Sequence, residues 1–162
     1  MPAKAPTLHM ICGKIAAGKS TLTARLGREA HTVIISEDDW LKALYGDDMR
    51  TLRDFVRYSG QLRSVMAPHI VSLLRAGVSV VLDFQANTVE ARAWMRELFE
   101  AADAPHLLHV LDTPDEVCLA RLKARNAQGD HPFAVTEEEF ERVSKFFQPP
   151  TPDEGFNTLV HQ

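Results

Sequence analysis

Cysteine is scarce: the chain holds two, Cys12 and Cys118, far apart and in no Cys-x-x-Cys pair. Neither a disulfide framework nor a zinc site organises such a chain, and a reducing cytoplasm is the expected setting. Long apolar runs are missing as well. No stretch approaches the roughly 18 apolar residues that mark a membrane helix, and the opening Met1-Pro2-Ala3-Lys4-Ala5-Pro6 is too short and too proline-rich to resemble a secretion signal. Positive charge is not in excess either: 18 Lys and Arg face 22 Asp and Glu, a formal net charge of −4. That balance argues against bulk attraction to nucleic acid and favours small neutral or anionic ligands. There is no internal repeat and no low-complexity tract. The expectation is one soluble domain spanning residues 1–162, large enough to bury about two-thirds of its unfolded surface around a single core. Oligomeric state is left open.

What the chain does have is Gly13-Lys14-Ile15-Ala16-Ala17-Gly18-Lys19-Ser20, which satisfies Gly-x-x-x-x-Gly-Lys-[Ser/Thr]. Leu8-His9-Met10-Ile11-Cys12 before it reads as a short strand. The residues from Thr21 onward, with Leu22 and Leu26 four apart, read as a helix. Strand, glycine-bearing turn and helix start together describe a phosphate-binding loop. Glycine lets backbone N–H groups close around phosphate oxygens, and the helix start adds unpaired N–H groups that favour anions. Gly13, Lys14, Ala16, Ala17, Gly18, Lys19, Ser20 and Thr21 are the expected nucleotide-binding set. Lys19 would meet the β- and γ-phosphates and the Ser20 hydroxyl would meet Mg²⁺.

Further along, His31-Thr32-Val33-Ile34-Ile35 predicts a buried strand ending at Ser36-Glu37-Asp38-Asp39. Acids at a strand's carboxyl end are placed to meet a nucleotide, a metal or an acceptor hydroxyl. The same residues also suit a helix start, with Ser36 as the cap. Over residues 50–76, Leu52, Phe55, Val56, Leu62, Val65, Met66, Ile70, Leu73 and Leu74 recur at three and four, predicting a buried helical face that Gly60 and Pro68 kink or divide. Arg50, Arg53 and Arg57 on one side of it are either a phosphate contact or a solvated face. Val78-Ser79-Val80-Val81-Leu82-Asp83 is an apolar run closing on an acid, the Walker B pattern, in which Asp83 helps hold Mg²⁺. Phe84-Gln85-Ala86-Asn87 follows as a loop, then a helix from Thr88 to Ala102 with Trp94, Leu98 and Phe99 in the core.

His106 and His109 fall in the next strand, three apart and so on opposite faces, a poor metal pair. Thr113-Pro114-Asp115-Glu116 has capping-box spacing before a helix with Val117, Leu119 and Leu122 inward. That helix ends in Arg121, Lys123 and Arg125, which either complement the helix dipole or arm a cationic lid. The polar turn at residues 126–132 suits the second reading, placing a lid over about 121–137. One more helix, capped by Thr136, and a last strand over 156–160 complete the alternation. It predicts an α/β fold with a mainly parallel sheet covered on both faces.

In combination, GKIAAGKST after the first strand, ISEDDW after the second, VVLDF at the third and LDTPDEVCLARLKARN entering the lid resemble a family. It is the small bacterial P-loop kinases of the predicted-kinase, zeta-toxin and chloramphenicol-phosphotransferase type, related to adenylate and shikimate kinases. The resemblance spans nearly the whole chain. It implies a three-layer P-loop NTPase fold with five strands in the order 2-3-1-4-5. It also implies ATP and Mg²⁺ as cofactors and transfer of the γ-phosphoryl group to a hydroxyl of a small molecule such as a metabolite or antibiotic. By position, Asp38 matches the family acid that orients or deprotonates the acceptor and can join the metal shell, with Asp39 as the fallback. Arg121 and Arg125 match the lid arginines that contact ATP phosphates. The 84–87 loop matches no single substrate pocket, so the acceptor is not inherited. Two other readings stand beside this one: a nucleotide-dependent binding module without transfer, and a kinase of polynucleotide 5′-hydroxyls, which would need a basic groove.

Overall fold

The computed structural model describes residues 4–128 and 135–162. Its strands are β1 (Leu8–Cys12), β2 (Thr32–Ser36), β3 (Ser79–Gln85), β4 (His106–Leu111) and β5 (Thr158–His161). All pairings are parallel, in the order β2-β3-β1-β4-β5. Between them run α1 (Lys19–Gly27), α2 (Glu37–Tyr45), α3 (Leu52–Arg75), α4 (Val89–Ala102), α5 (Asp115–Gln128) and α6 (Glu137–Ser144). This is the α/β, three-layer P-loop architecture that the family resemblance implies. Among the described residues no helix is long and apolar enough to cross a membrane.

β1 sits at the centre of the sheet and every one of its residues is buried. Because successive side chains in a strand point to opposite faces, it feeds two cores. Leu8, Met10 and Cys12 pack with Met66 and Ile70 of α3 and Met95 and Leu98 of α4, while Ile11 packs with Val81 and with Leu22 of α1. Helices therefore cover both faces, and the carboxyl ends of the parallel strands share one rim.

Three expectations need correction. β2 is not a buried strand: it is a sheet edge, with Val33 and Ile34 each 40% exposed and Ile35 alone fully inside. β-branched composition reports fit to a pleated sheet and says little about which strand lies central. Nor is the long helical segment divided, since α3 runs unbroken for 24 residues through Gly60 and Pro68. A capping box between Thr51 and Asp54 starts it, and Leu62, Met66, Ile70 and Leu74, four apart, hold it against the sheet while Pro68 stays on the solvent side. Leu52, Val56 and Val65 lie off that buried face and are more than half exposed. Finally, α5 turns Cys118 and Leu122 inward and leaves Val117 outside.

Candidate active site

The loop between β1 and α1 is built for close backbone approach. Gly18 sits at φ 110°, a left-handed conformation that side-chain-bearing residues rarely adopt, and Ala16 before it at φ 62°. A Cβ on Gly13 would lie 3.1 Å from Leu111 Cβ and 3.3 Å from Ala17 Cβ, tighter than ordinary packing. Alternating backbone signs of this kind turn successive N–H groups toward one concavity. α1 begins immediately at Lys19, so the N–H groups of Lys19, Ser20 and Thr21 have no intrahelical acceptor and face the same way.

Lys19 folds back over the loop. Its ammonium donates to the carbonyl of Gly13 and to that of Lys14, the latter at 3.0 Å. Burial holds its pKa below the ordinary lysine range, although Asp83 and Asp38 pull it upward. The loop is pinned from below by Asn87, just after β3. The Gly13 N–H donates to Asn87 Oδ1 at 2.9 Å, and Asn87 Nδ2 donates to the Gly13 carbonyl at 2.9 Å. Asn87 is held in turn: its carbonyl accepts from Gln148 N–H at 2.8 Å, and Ala86 beside it accepts from the fully buried Arg92. Arg92 forks onto both Glu154 carboxylate oxygens, at 2.8 and 3.2 Å. On the other side Thr113 donates to the carbonyl of Ala17 at 2.8 Å, so the expected cap residue of α5 serves the loop instead.

A cavity of about 950 Å³ opens over this loop, within the range of ligand sites. Residues 15–21 form its floor, and Asp38, Gln85, Arg121, Arg125 and His161 stand on its walls. Of the three acids after β2, each has a separate place. Glu37 is buried and accepts from Ser59 at 3.1 Å and Arg63 at 3.2 Å, tying α2 to α3. The N–H of Asp39 donates to the Ser36 hydroxyl at the helix cap. Asp38 is the one that faces the cavity. Burial and the neighbouring Asp39 raise its pKa, with Lys19 opposing. Asp83 is raised for the same reasons, burial first and then Asp38, with Ser36 and Lys19 opposing. It stands half-buried behind the cavity wall rather than on it, opposite Ser36 in the register between β2 and β3.

Asp38 and Asp83, whose pKa Asp38 raises, make with a loop serine a hard-oxygen donor set of negative charge, which fits a magnesium ion. Among the described residues no cluster of three or more His, Cys, Asp or Glu side chains is placed to hold a metal. Mg²⁺ is usually bound through one or two carboxylates together with substrate phosphates.

Arg121 and Arg125 project from α5 onto the cavity. An Arg121 terminal nitrogen donates to the carbonyl of Ala16 at 3.4 Å, and the Arg125 Nε is buried with no hydrogen-bond partner among the described residues. Lys14 points away, paired with Asp115 at 2.9 Å and lying over the Phe147 ring. Residues 129–134 of the expected lid lie outside the described residues. Arg50, Arg53 and Arg57 lie outside the cavity; Arg53 and Arg57 are exposed on α3, as a solvated face would be. A second, smaller recess of about 100 Å³ meets the large cavity at Lys19 and Gln85. Asn87, Thr88, Val143 and Phe146 wall it. Sequence reading passed over Gln85, Asn87, Thr113 and His161, because their roles arise from contacts between distant segments. The one available signal was a side-chain amide standing directly after the Walker B strand.

Residues 8–150 match the model of a family described as AAA domain. No curated protein matches the chain. Among solved structures, a protein of Chloroflexus aurantiacus J-10-fl described as a candidate kinase superposes with a TM-score of 0.74 at 22% identity, covering 99% of this chain and 86% of that one. The APS kinase CysC of Mycobacterium tuberculosis, in complex with AMPPNP and APS, gives 0.58 at 22% identity over 98% and 90%. A chain of the Pnkp1/Rnl/Hen1 RNA repair complex gives 0.65 at 18% identity, covering 89% of this chain but 44% of that one. At these identities the likeness establishes a shared fold.

Proposed function

The chain belongs to the AAA domain family, and from the cavity it builds around the 13–20 loop we propose that it is a Mg²⁺-dependent kinase. In this reading it transfers the γ-phosphoryl group of ATP to a hydroxyl of a small molecule. The observation that carries it is one cavity lined by Lys19, Asp38, Arg121 and Arg125 over a loop of convergent N–H groups. The kinases among the solved structures of the same fold, one of them holding AMPPNP, support it.

Each residue has a task that its position allows. The backbone of Gly13, Lys14, Ala16, Ala17, Gly18, Ser20 and Thr21 shapes the phosphate cradle. Lys19 exchanges its two loop carbonyls for phosphate oxygens. Arg121 and Arg125 place guanidinium donors against the transferring group. Ser20 and Asp83, with Asp38, would hold Mg²⁺, which when bound neutralises charge on the β- and γ-phosphates. Asp38 aligns the acceptor hydroxyl and takes its proton, and its raised pKa brings it closer to working pH as a base. The acceptor enters from the smaller recess, which reaches the phosphate cavity at Lys19 and Gln85.

Transfer of labelled γ-phosphate from Mg·ATP to a panel of antibiotics, sugars, nucleosides and a 5′-hydroxyl oligonucleotide tests this, with Lys19→Ala as the blank. Labelled small-molecule product absent from the blank supports the proposal. Label on the oligonucleotide alone would replace it with an end-repair kinase, the reading the RNA repair neighbour brings. Nucleotide binding without any product would favour a nucleotide-gated binding module.

A further inference from the structure

Three histidines form a hydrogen-bonded row across the sheet on the face that α1 covers. His9 Nδ1 lies 2.9 Å from His109 Nε2, and His109 Nδ1 lies 2.9 Å from His161 Nε2. Their ring centroids lie 5.2 and 5.1 Å apart, with interplanar angles of 30° and 29°. In the strand register His109 stands beside Ile11 of β1 and Leu159 of β5. The row therefore climbs two residues at each strand, from mid-β1 to the carboxyl end of β5. His9 and His109 are buried, whereas His161 is partly exposed and lines the large cavity. His106, three residues before His109, takes no part: it stacks on Phe99 on the opposite face.

Counting hydrogens fixes how such a row behaves. Three neutral imidazoles carry three N–H groups and three lone pairs, and each of the two contacts uses one of each. One N–H and one lone pair remain for the two outer nitrogens, His9 Nε2 and His161 Nδ1. When one donates, the other accepts. A single added proton leaves four N–H groups and two lone pairs, both consumed in the contacts, so both outer nitrogens become donors. A second added proton would set N–H against N–H.

We propose that His161 Nδ1 reads the 6-position of the nucleotide base, and that the row through His109 to His9 sets whether it donates or accepts there. The inference rests on the nucleotide reading of the cavity. β5 lies two strands from β1, roughly 10 Å away, too far for the phosphate cradle, and Leu111 and Val135 beside His161 offer apolar walls for a flat ring. A neutral row offers a lone pair to an amino group or an N–H to a carbonyl. A protonated row offers only N–H.

Burial pushes all three imidazoles below the ordinary histidine range, His109 to about 4, so the row is neutral near pH 7. The charged groups around it are Lys4 and Glu29 at His9, Arg25 of α1 at His109 and His161, and Arg121 and Arg125 across the cavity.

ATP and inosine triphosphate share a ribose and a triphosphate and differ in an amine or a carbonyl at position 6, so phosphate titration cancels in their ratio. The expected result is a ratio Kd(ATP)/Kd(ITP) that rises severalfold from pH 8 to pH 5 in the wild type, stays flat in His161→Gln, which carries no titrating group, and turns at a different pH in His109→Gln, where His161 titrates without the row. With histidine labelled by nitrogen-15 in the wild type, ATP at pH 8 should also shift the His9 ring, two imidazoles from the cavity. Saturable binding of both nucleotides with a flat ratio and an unmoved His9 overturns this inference alone. Failure of both to bind at pH 8 overturns the nucleotide reading and this inference with it.

Discussion

Replacing Asn87 by alanine removes both hydrogen bonds that hold the Gly13 backbone, each 2.9 Å long. Its two polar groups fare differently. The Gly13 carbonyl keeps the Lys19 ammonium as a donor, so its loss is that of one ordinary hydrogen bond, about 1 kcal/mol net. The Gly13 N–H belongs to a buried residue and is left with no acceptor, which costs about 1–3 kcal/mol. The sum is about 2–4 kcal/mol, and at about 2–4 °C per kcal/mol for a domain of this size the melting temperature should fall by roughly 5–15 °C. Asn87→Asp gives a diagnostic contrast. It keeps an acceptor for the N–H but turns a second oxygen on the Gly13 carbonyl, so it too should melt below wild type. Thermal unfolding followed by circular dichroism reads both. If Asn87→Ala melts within about 1 °C of wild type, the loop is not held from β3 and the reasoning fails.

Arg92→Met leaves Glu154 without its buried partner and should destabilise by about 3–5 kcal/mol, while the double variant with Glu154→Gln should recover much of it in denaturant titrations. Asp38→Asn should lower turnover by about 10²–10⁴ and leave the affinity for ATP titrated without Mg²⁺ nearly unchanged, as kcat and Kd measured side by side will register. Stability should also depend on pH in a direction the histidine row dictates. Its imidazoles bind a proton more readily unfolded, near 6.5, than folded, so stability is full above 6.5 and drains as pH falls toward about 4. Asp38 and Asp83, raised in the fold, act the opposite way and soften that loss. His109→Gln should therefore flatten the acid limb of a stability curve.

The phosphate loop was legible because its meaning is local: glycines, lysine and serine at fixed spacing between a strand and a helix. Strand order was legible only through family resemblance, since periodicity at β2 cannot tell an edge from a centre. A similar limit hid the exposed apolar residues of α3, since a three-and-four repeat cannot tell a buried position such as Leu62 from an exposed one such as Val65. Asn87 reaches Gly13 across 74 residues and His9 reaches His109 across 100, so neither pairing leaves a pattern in a short window. Thr113 was misassigned for a related reason, because a sequence window favours a cap with Glu116 three residues away over a carbonyl 96 residues away. Of the three neighbouring acids, resemblance pointed to Asp38 with Asp39 as the fallback, and the fold adds what a sequence window lacks: Glu37 ties α2 to α3, Asp39 starts the helix and Asp38 stands on the cavity wall.

Binding of Mg·ATP is the most direct test of the central claim, because it needs no knowledge of the acceptor. Calorimetric titration of the wild type should give one saturable site. Lys19→Ala, verified as folded by its melting curve, should lose that site or weaken it at least tenfold. No saturable binding by the wild type, or equal binding by Lys19→Ala, would contradict the account.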